Sequence, residues 1–198
     1  MNKLLSALLI INLVLIGLAG GMAYLAETYP FQPGDSLYDV QRTAEYLKLQ
    51  LTAGQKHQAE IALEIVGRRL TDLAGATEPD AIAQTANFYN QWLNEAIVRI
   101  DAAPTTVQEE LYGRLHTSLR QAEVVFGALD TTENELLLKG LRYKINTLLT
   151  ATSSEQVIAT LPDELRPATR IDPVIVPFLE QDVEHVNFPL SGGHEGLE

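Results

Sequence analysis

QKHQAEIALEIVGRRLTDLAG, residues 55–75, carries Ala59, Ala62, Leu63, Val66, Leu70 and Leu73 at steps of three and four. That spacing lines one face of an α-helix with apolar side chains. Lys56, Glu60, Glu64, Arg68 and Asp72 fall on the other side and predict a solvated face. Glu64 and Arg68 are an i,i+4 pair in the favourable order, worth only about 0.2–0.5 kcal/mol. Gly75 is placed to end the helix. A helix of this kind is marginal alone and draws its stability from packing its stripe against others.

The flanking sequence supplies those partners. Ser36 is placed to cap a preceding helix, with Asp39 three residues on, and Leu37, Val40, Ala44, Leu47 and Leu51 form its stripe before a break at Gly54. A third helix opens at Thr77 with Pro79 in its first turn and carries Ile82, Ala86, Tyr89, Leu93, Ala96, Ile97 and Ile100. A fourth starts at Thr105 or Thr106 and carries Val107, Leu111, Leu115, Leu119, Ala122, Phe126 and Leu129. A fifth follows Thr131 or Thr132 with Leu137, Leu138, Leu141, Ile145, Leu148 and Leu149, and a short sixth covers Ser154–Thr160. Short breaks favour antiparallel neighbours. The expected fold is all-α, an antiparallel bundle of about five helices over residues 36–161.

Both ends differ from this middle. Leu4–Ala26 contains no charge and, at about 1.5 Å per residue, is long enough to cross a hydrocarbon layer of about 30 Å. Lys3 precedes it, and Glu27 and Asp35 follow, so residues 1–28 predict a single-pass segment with the N-terminus cytoplasmic and the bulk of the chain extracytoplasmic. Two forms fit this segment: an uncleaved anchor, or a signal peptide cut near Ala19, Gly20, Gly21 or Ala23. Membrane lipid around residues 4–26 is thus the first expected partner. Residues 29–35, with two prolines and a glycine, are a linker. Residues 162–198 hold five prolines and eight acids against two bases, and predict an extended, solvated connector.

Composition narrows the chemistry. The formal charge of −12 opposes phosphate backbones and argues against nucleic acid as a partner. With no cysteine, thiolate metal sites and Cys nucleophiles are excluded within the chain. There is no nucleophile elbow, Gly-rich phosphate loop or zinc motif, and the expectation is a protein that is not an enzyme. His57, Glu60 and Glu64 share a helix face at a spacing compatible with a metal, but the Glu-x-x-His element of di-iron bundles is missing, so no metal site is expected. His116, one turn from Tyr112 and Arg120, reads as structural. Tyr89, Trp92 and Tyr112 are candidates to line a ligand pocket inside the bundle.

Two resemblances add to this. Pro33–Leu73, with PGDSLY at Pro33–Tyr38 and Glu64, Arg68, Arg69 and Leu70 in a Glu-x-x-x-Arg-Arg-Leu pattern, resembles an uncharacterised bacterial helical domain that follows export or membrane segments. The resemblance implies an extracytoplasmic helical module, sometimes linked with sigma-factor regulation, and brings no catalytic residues. FPLSGGHEGLE, Phe188–Glu198, resembles the lead-in to a haem-attachment motif of multihaem c-type cytochromes, through Phe188, Leu190, Gly192 and His194. It implies that the chain is the N-terminal, non-catalytic part of an electron-transfer protein. His194 and His185 would then be distal ligands to haem c bound by a downstream continuation, with no cofactor held within this chain. A redox or regulatory protein would be the second partner. The alternative expectation is an extracytoplasmic sensor or regulatory binding module.

Overall fold

The computed structural model describes residues 2–28, 31, 33–129 and 133–166, with side chains from Ala7 onward. The expected all-α architecture is present: the described residues contain no strand. The helices are α1 (Asn2–Thr28), α2 (Tyr38–Leu51), α3 (Gln55–Gly75), α4 (Pro79–Ala102), α5 (Thr105–Ala128), α6 (Glu135–Thr150) and α7 (Ser154–Ile158), followed by a 3₁₀ turn at Asp163–Leu165. Most of the 162–198 connector, with His185 and His194, lies outside the described residues.

Cross-helix contacts give the directions within the bundle. Arg99 on α4 donates to Gln58 on α3 (2.9 Å), so these neighbours run antiparallel about the short turn between them. Lys56 and Glu60 on α3 meet Glu110 and Arg114 on α5, at 3.5 Å each, so α3 and α5 run the same way. Asn134, just before α6, donates to the Pro79 carbonyl (2.8 Å), and Lys144 on α6 reaches Asn90 on α4 (2.9 Å), so α4 and α6 are parallel. Helices α3–α6 therefore form an up-down-up-down bundle.

The stripes predicted for α4, α5 and α6 supply the core. Ile82, Ala86, Leu93, Ala96, Ile97 and Ile100 are buried with Leu111, Leu115, Leu119, Leu138, Ile145 and Leu148. Tyr89 and Phe126 stack obliquely at its centre, with ring centroids 5.4 Å apart. Helix α7 closes over this core through Val157, and Ser153 caps it by accepting from the Gln156 amide. Gly54 turns the chain from α2 into α3 with a φ of 91°, a conformation that side chains other than glycine's rarely adopt.

Helix α2 departs from expectation. It begins at Tyr38, and Ser36 does not cap it; the Tyr38 amide donates to the Asp35 carbonyl instead (3.1 Å). Its buried face is Tyr38, Gln41, Ala44, Glu45 and Leu49, while Leu37, Val40, Leu47 and Leu51 are exposed. Only Ala44 of the expected stripe points inward. The physical reason lies on α3, where Asp72, expected on a solvated face, is buried together with Arg69 and demands polar partners.

Ile97→Ala should cost about 2–5 kcal/mol, because the side chain is enclosed and leaves a cavity. Leu136→Ala, at a leucine 89% exposed, should change stability by no more than about 0.5 kcal/mol. Urea unfolding of the full chain in detergent, followed by circular dichroism, measures both.

Candidate functional site

The most concentrated polar chemistry sits where α1, α2 and α3 meet. Arg69 and Glu45 are fully buried and paired through the guanidinium Nη2 and a carboxylate oxygen. The Arg69 Nη1 also donates to Asp72 (2.6 Å) and to the Tyr38 hydroxyl, which in turn donates to Asp72 (2.9 Å). Arg68 joins from the next position, donating to the other Glu45 oxygen (3.2 Å) and pairing with Glu64. The carboxylates on α2 and α3 thus face two guanidiniums, an arrangement in which each buried charge meets an opposite one.

The same residues reach α1. Arg68 donates to the Ala26 carbonyl (2.7 Å), one of the last carbonyls of a helix that has no intrahelical partner for it. Lys48 on α2 pairs with Glu27 (2.8 Å), and the Gln41 side chain both accepts from and donates to the Phe31 backbone, at 2.9 and 3.2 Å. Ala26 is buried in this seam. The packing is therefore between the end of the apolar helix and the bundle, through polar groups on both sides.

Burial raises the Glu45 carboxyl above its ordinary value, with Arg69 and Arg68 opposing. Burial likewise raises the Tyr38 phenol, so it remains a hydrogen-bond donor at any physiological pH. Elsewhere, burial lowers Lys144 to about 8 where it sits between Asn90 and Asn94.

Beside this network a groove of about 410 Å³ runs between α2 and α4. Asp39, Arg42, Tyr46, Gln91, Trp92 and Glu95 line it. Arg42 lies 3.4 Å over the Phe88 ring and pairs with Asp39 at 3.3 Å, which holds a cation on one wall. A cavity of this size accommodates a small ligand.

The residues singled out from sequence are dispersed. Tyr89 is enclosed against Phe126, Trp92 lines the α2–α4 groove, and Tyr112 lines a separate cavity of about 390 Å³ with His116, Gln108 and Ser153. These three candidates therefore do not line one pocket. His57 Nδ1 lies 2.9 Å from Glu60, which also faces Lys56 and Arg114, whereas Glu64 turns to Arg68. No group of three metal-ligating side chains converges among the described residues.

The family described as Domain of unknown function (DUF5667) matches residues 31–136, more than half of the 198 residues. The chain belongs to the DUF5667 family. The matched region begins at Phe31, whose backbone holds Gln41, and contains Tyr38, Glu45, Arg68, Arg69 and Asp72. The buried network is thus part of the DUF5667 domain itself, while α1 precedes it. No curated protein and no solved structure matches the chain significantly.

Arg69→Met should destabilise the protein by about 3–5 kcal/mol at neutral pH, because Glu45 and Asp72 lose a shared cation in a dry site. A carboxyl whose folded-state value is raised contributes stability below its unfolded value and loses it as pH rises through the folded one. Glu45 already has that direction, and removing Arg69 strengthens it. The Arg69→Met deficit should therefore shrink as pH falls into the acidic range, measured by urea unfolding across pH.

Proposed function

We propose that this DUF5667 protein is a membrane-anchored, extracytoplasmic, non-catalytic module whose bundle is docked on the end of its own membrane helix. The observation that carries the reading is the seam at Ala26 and Glu27, where Arg68 and Lys48 bind the emerging helix directly. Helix α1 holds a stretch, Ala7–Thr28, long and apolar enough to cross a membrane, and runs unbroken into that seam. A tether of loose chain would let the bundle tumble above the lipid. A helix bonded to the bundle through its last turn instead sets the orientation of whatever the chain carries onward. Lys3 before the span and Glu27 after it favour an outside position for the bundle.

The cargo we favour is an electron-transfer module of the multihaem cytochrome kind. The support is the Phe188–Glu198 sequence, with His194 and then His185 as distal haem ligands. Covalently held haem c would supply the redox chemistry, and the imidazoles would complete its axial coordination. The second reading, a sensor or regulatory binding module, is favoured by the α2–α4 groove, where a ligand would touch α2 and hence the network that holds α1.

Two measurements test these readings. Alkaline carbonate should leave the full chain in the membrane pellet, and release of a product lacking the first residues would replace the anchor with a cleaved signal. Reading the gene beyond codon 198 should find Cys-x-x-Cys-His within a few residues; a stop codon, or a continuation without that motif, would overturn the cytochrome reading and leave the sensor reading.

A further inference from the structure

Helix α2 shows leucines to its surroundings that its own bundle does not use. Val40, Leu47 and Leu51 are exposed, Leu51 by 82%. At about 100° per residue they fall within about 40° of one another on the helix surface, so they form one strip. The strip flanks the side of α2 that meets α1, since Gln41 and Lys48 make the α1-side bonds.

The direction of α2 decides what the lower part of that strip meets. Gln41 pairs with Phe31, and Lys48, seven positions later, pairs with the earlier Glu27. Helix α2 therefore runs back along the way the chain came. Its last turn lies beside the α1 residues that precede Glu27, where Met22 and Leu25 are half-buried and Tyr24 is exposed. These belong to the same apolar stretch that is long enough to span lipid. An exposed Tyr at the end of such a span suits the membrane–water boundary.

From this geometry we propose that Leu47 and Leu51 insert into the outer-leaflet interface, so that α2 is a second, monotopic contact with the phospholipid beside α1. The inference rests on the proposal that α1 spans a membrane. A phospholipid surface is the occupant because the strip is continuous with the lipid-facing surface of α1 and lies at the level where that helix emerges. Charge does not oppose it: Lys48 pairs with Glu27, Lys56 lies between Glu60 and Glu110, and His57 lies against Glu60, so cations and acids offset one another where α2 ends and α3 begins. The bundle is then fixed at two points, and its rotation about the α1 axis is restricted as well as its tilt.

The chain has no cysteine, so single cysteines can be introduced one at a time and labelled with an environment-sensitive fluorophore. The test uses the full chain in phosphatidylcholine vesicles with Leu47→Cys, Leu51→Cys, Leu15→Cys and Leu136→Cys. Leu136 is an exposed leucine at the opposite end of the bundle, beside Asn134 and the start of α4, and serves as the aqueous reference. Circular dichroism confirms folding of each labelled protein. Labels at 47 and 51 should be quenched by nitroxide carried on the lipid near the headgroup, and should lose most of the iodide quenching seen at 136. Iodide quenching at 47 and 51 equal to that at 136, with position 15 quenched by acyl-chain nitroxide, would overturn the proposal and leave the anchor intact. Failure of lipid quenching at position 15 as well would defeat the anchor and this inference together. Protection of labels at 47 and 51 from both quenchers, with disulfide cross-linking between copies of the same cysteine variants left unlabelled and treated with an oxidant, would assign the strip to a second copy and overturn the lipid contact.

Discussion

The face that α2 turns to α3 follows from one buried cation. Arg69 has no exposed surface, and the groups around it are those that a buried guanidinium requires: Glu45, Asp72 and the Tyr38 hydroxyl. Taking these charges out of water costs several kcal/mol per ion, and only close pairing with opposite charge and hydrogen bonds offsets it. Because Glu45 and Tyr38 come from α2, the requirement dictates which face of α2 turns inward. The apolar face is turned outward as a consequence. Such a network contributes little net stability compared with a well-packed apolar contact, but it specifies one register of α2 on α3 and penalises every other.

The neighbouring Arg68 extends that specification to α1. It binds Glu45 with one contact and the Ala26 carbonyl with another, so the register of α2 on α3 also sets where the apolar helix joins. The direction in which the bundle leaves α1 is therefore built from adjacent arginines on one turn of α3.

Legibility in the sequence divides along the same line. For α3–α6 the apolar periodicity was sufficient, since Ala59–Leu73, Ile82–Ile100, Leu111–Phe126 and Leu138–Leu148 pack as their spacing predicts. For α2 the same rule failed. Counting apolar residues selects Leu37, Val40, Leu47 and Leu51, whereas Tyr38, Gln41, Glu45 and Leu49 repeat at the same helical spacing and are the ones buried. A polar stripe carries no hydrophobic signal, so it is visible only once its partner is known. The partner left a trace: Arg69 stands three residues after Val66 and four before Leu73, inside the apolar stripe of α3, whereas Arg68 follows Glu64 on the other side. Asp72, four residues after Arg68, falls with the solvated series by spacing and is buried only because Arg69 and Tyr38 meet it. The α2–α4 groove was not legible either, because Arg42 on α2 and Trp92 on α4 have the whole of α3 between them in the chain and line one groove only after α2 is docked.

The central claim is that Arg69 and Glu45 act as a unit that docks α2 on α3. A double-mutant cycle with Arg69→Met, Glu45→Met and the combined variant, read by urea unfolding at neutral pH, tests it most directly. The account predicts a coupling energy between about 0.5 and 3 kcal/mol, with the double variant more stable than the sum of the single losses allows. Additive losses would contradict it, since they would mean that α2 is held by something other than this pair.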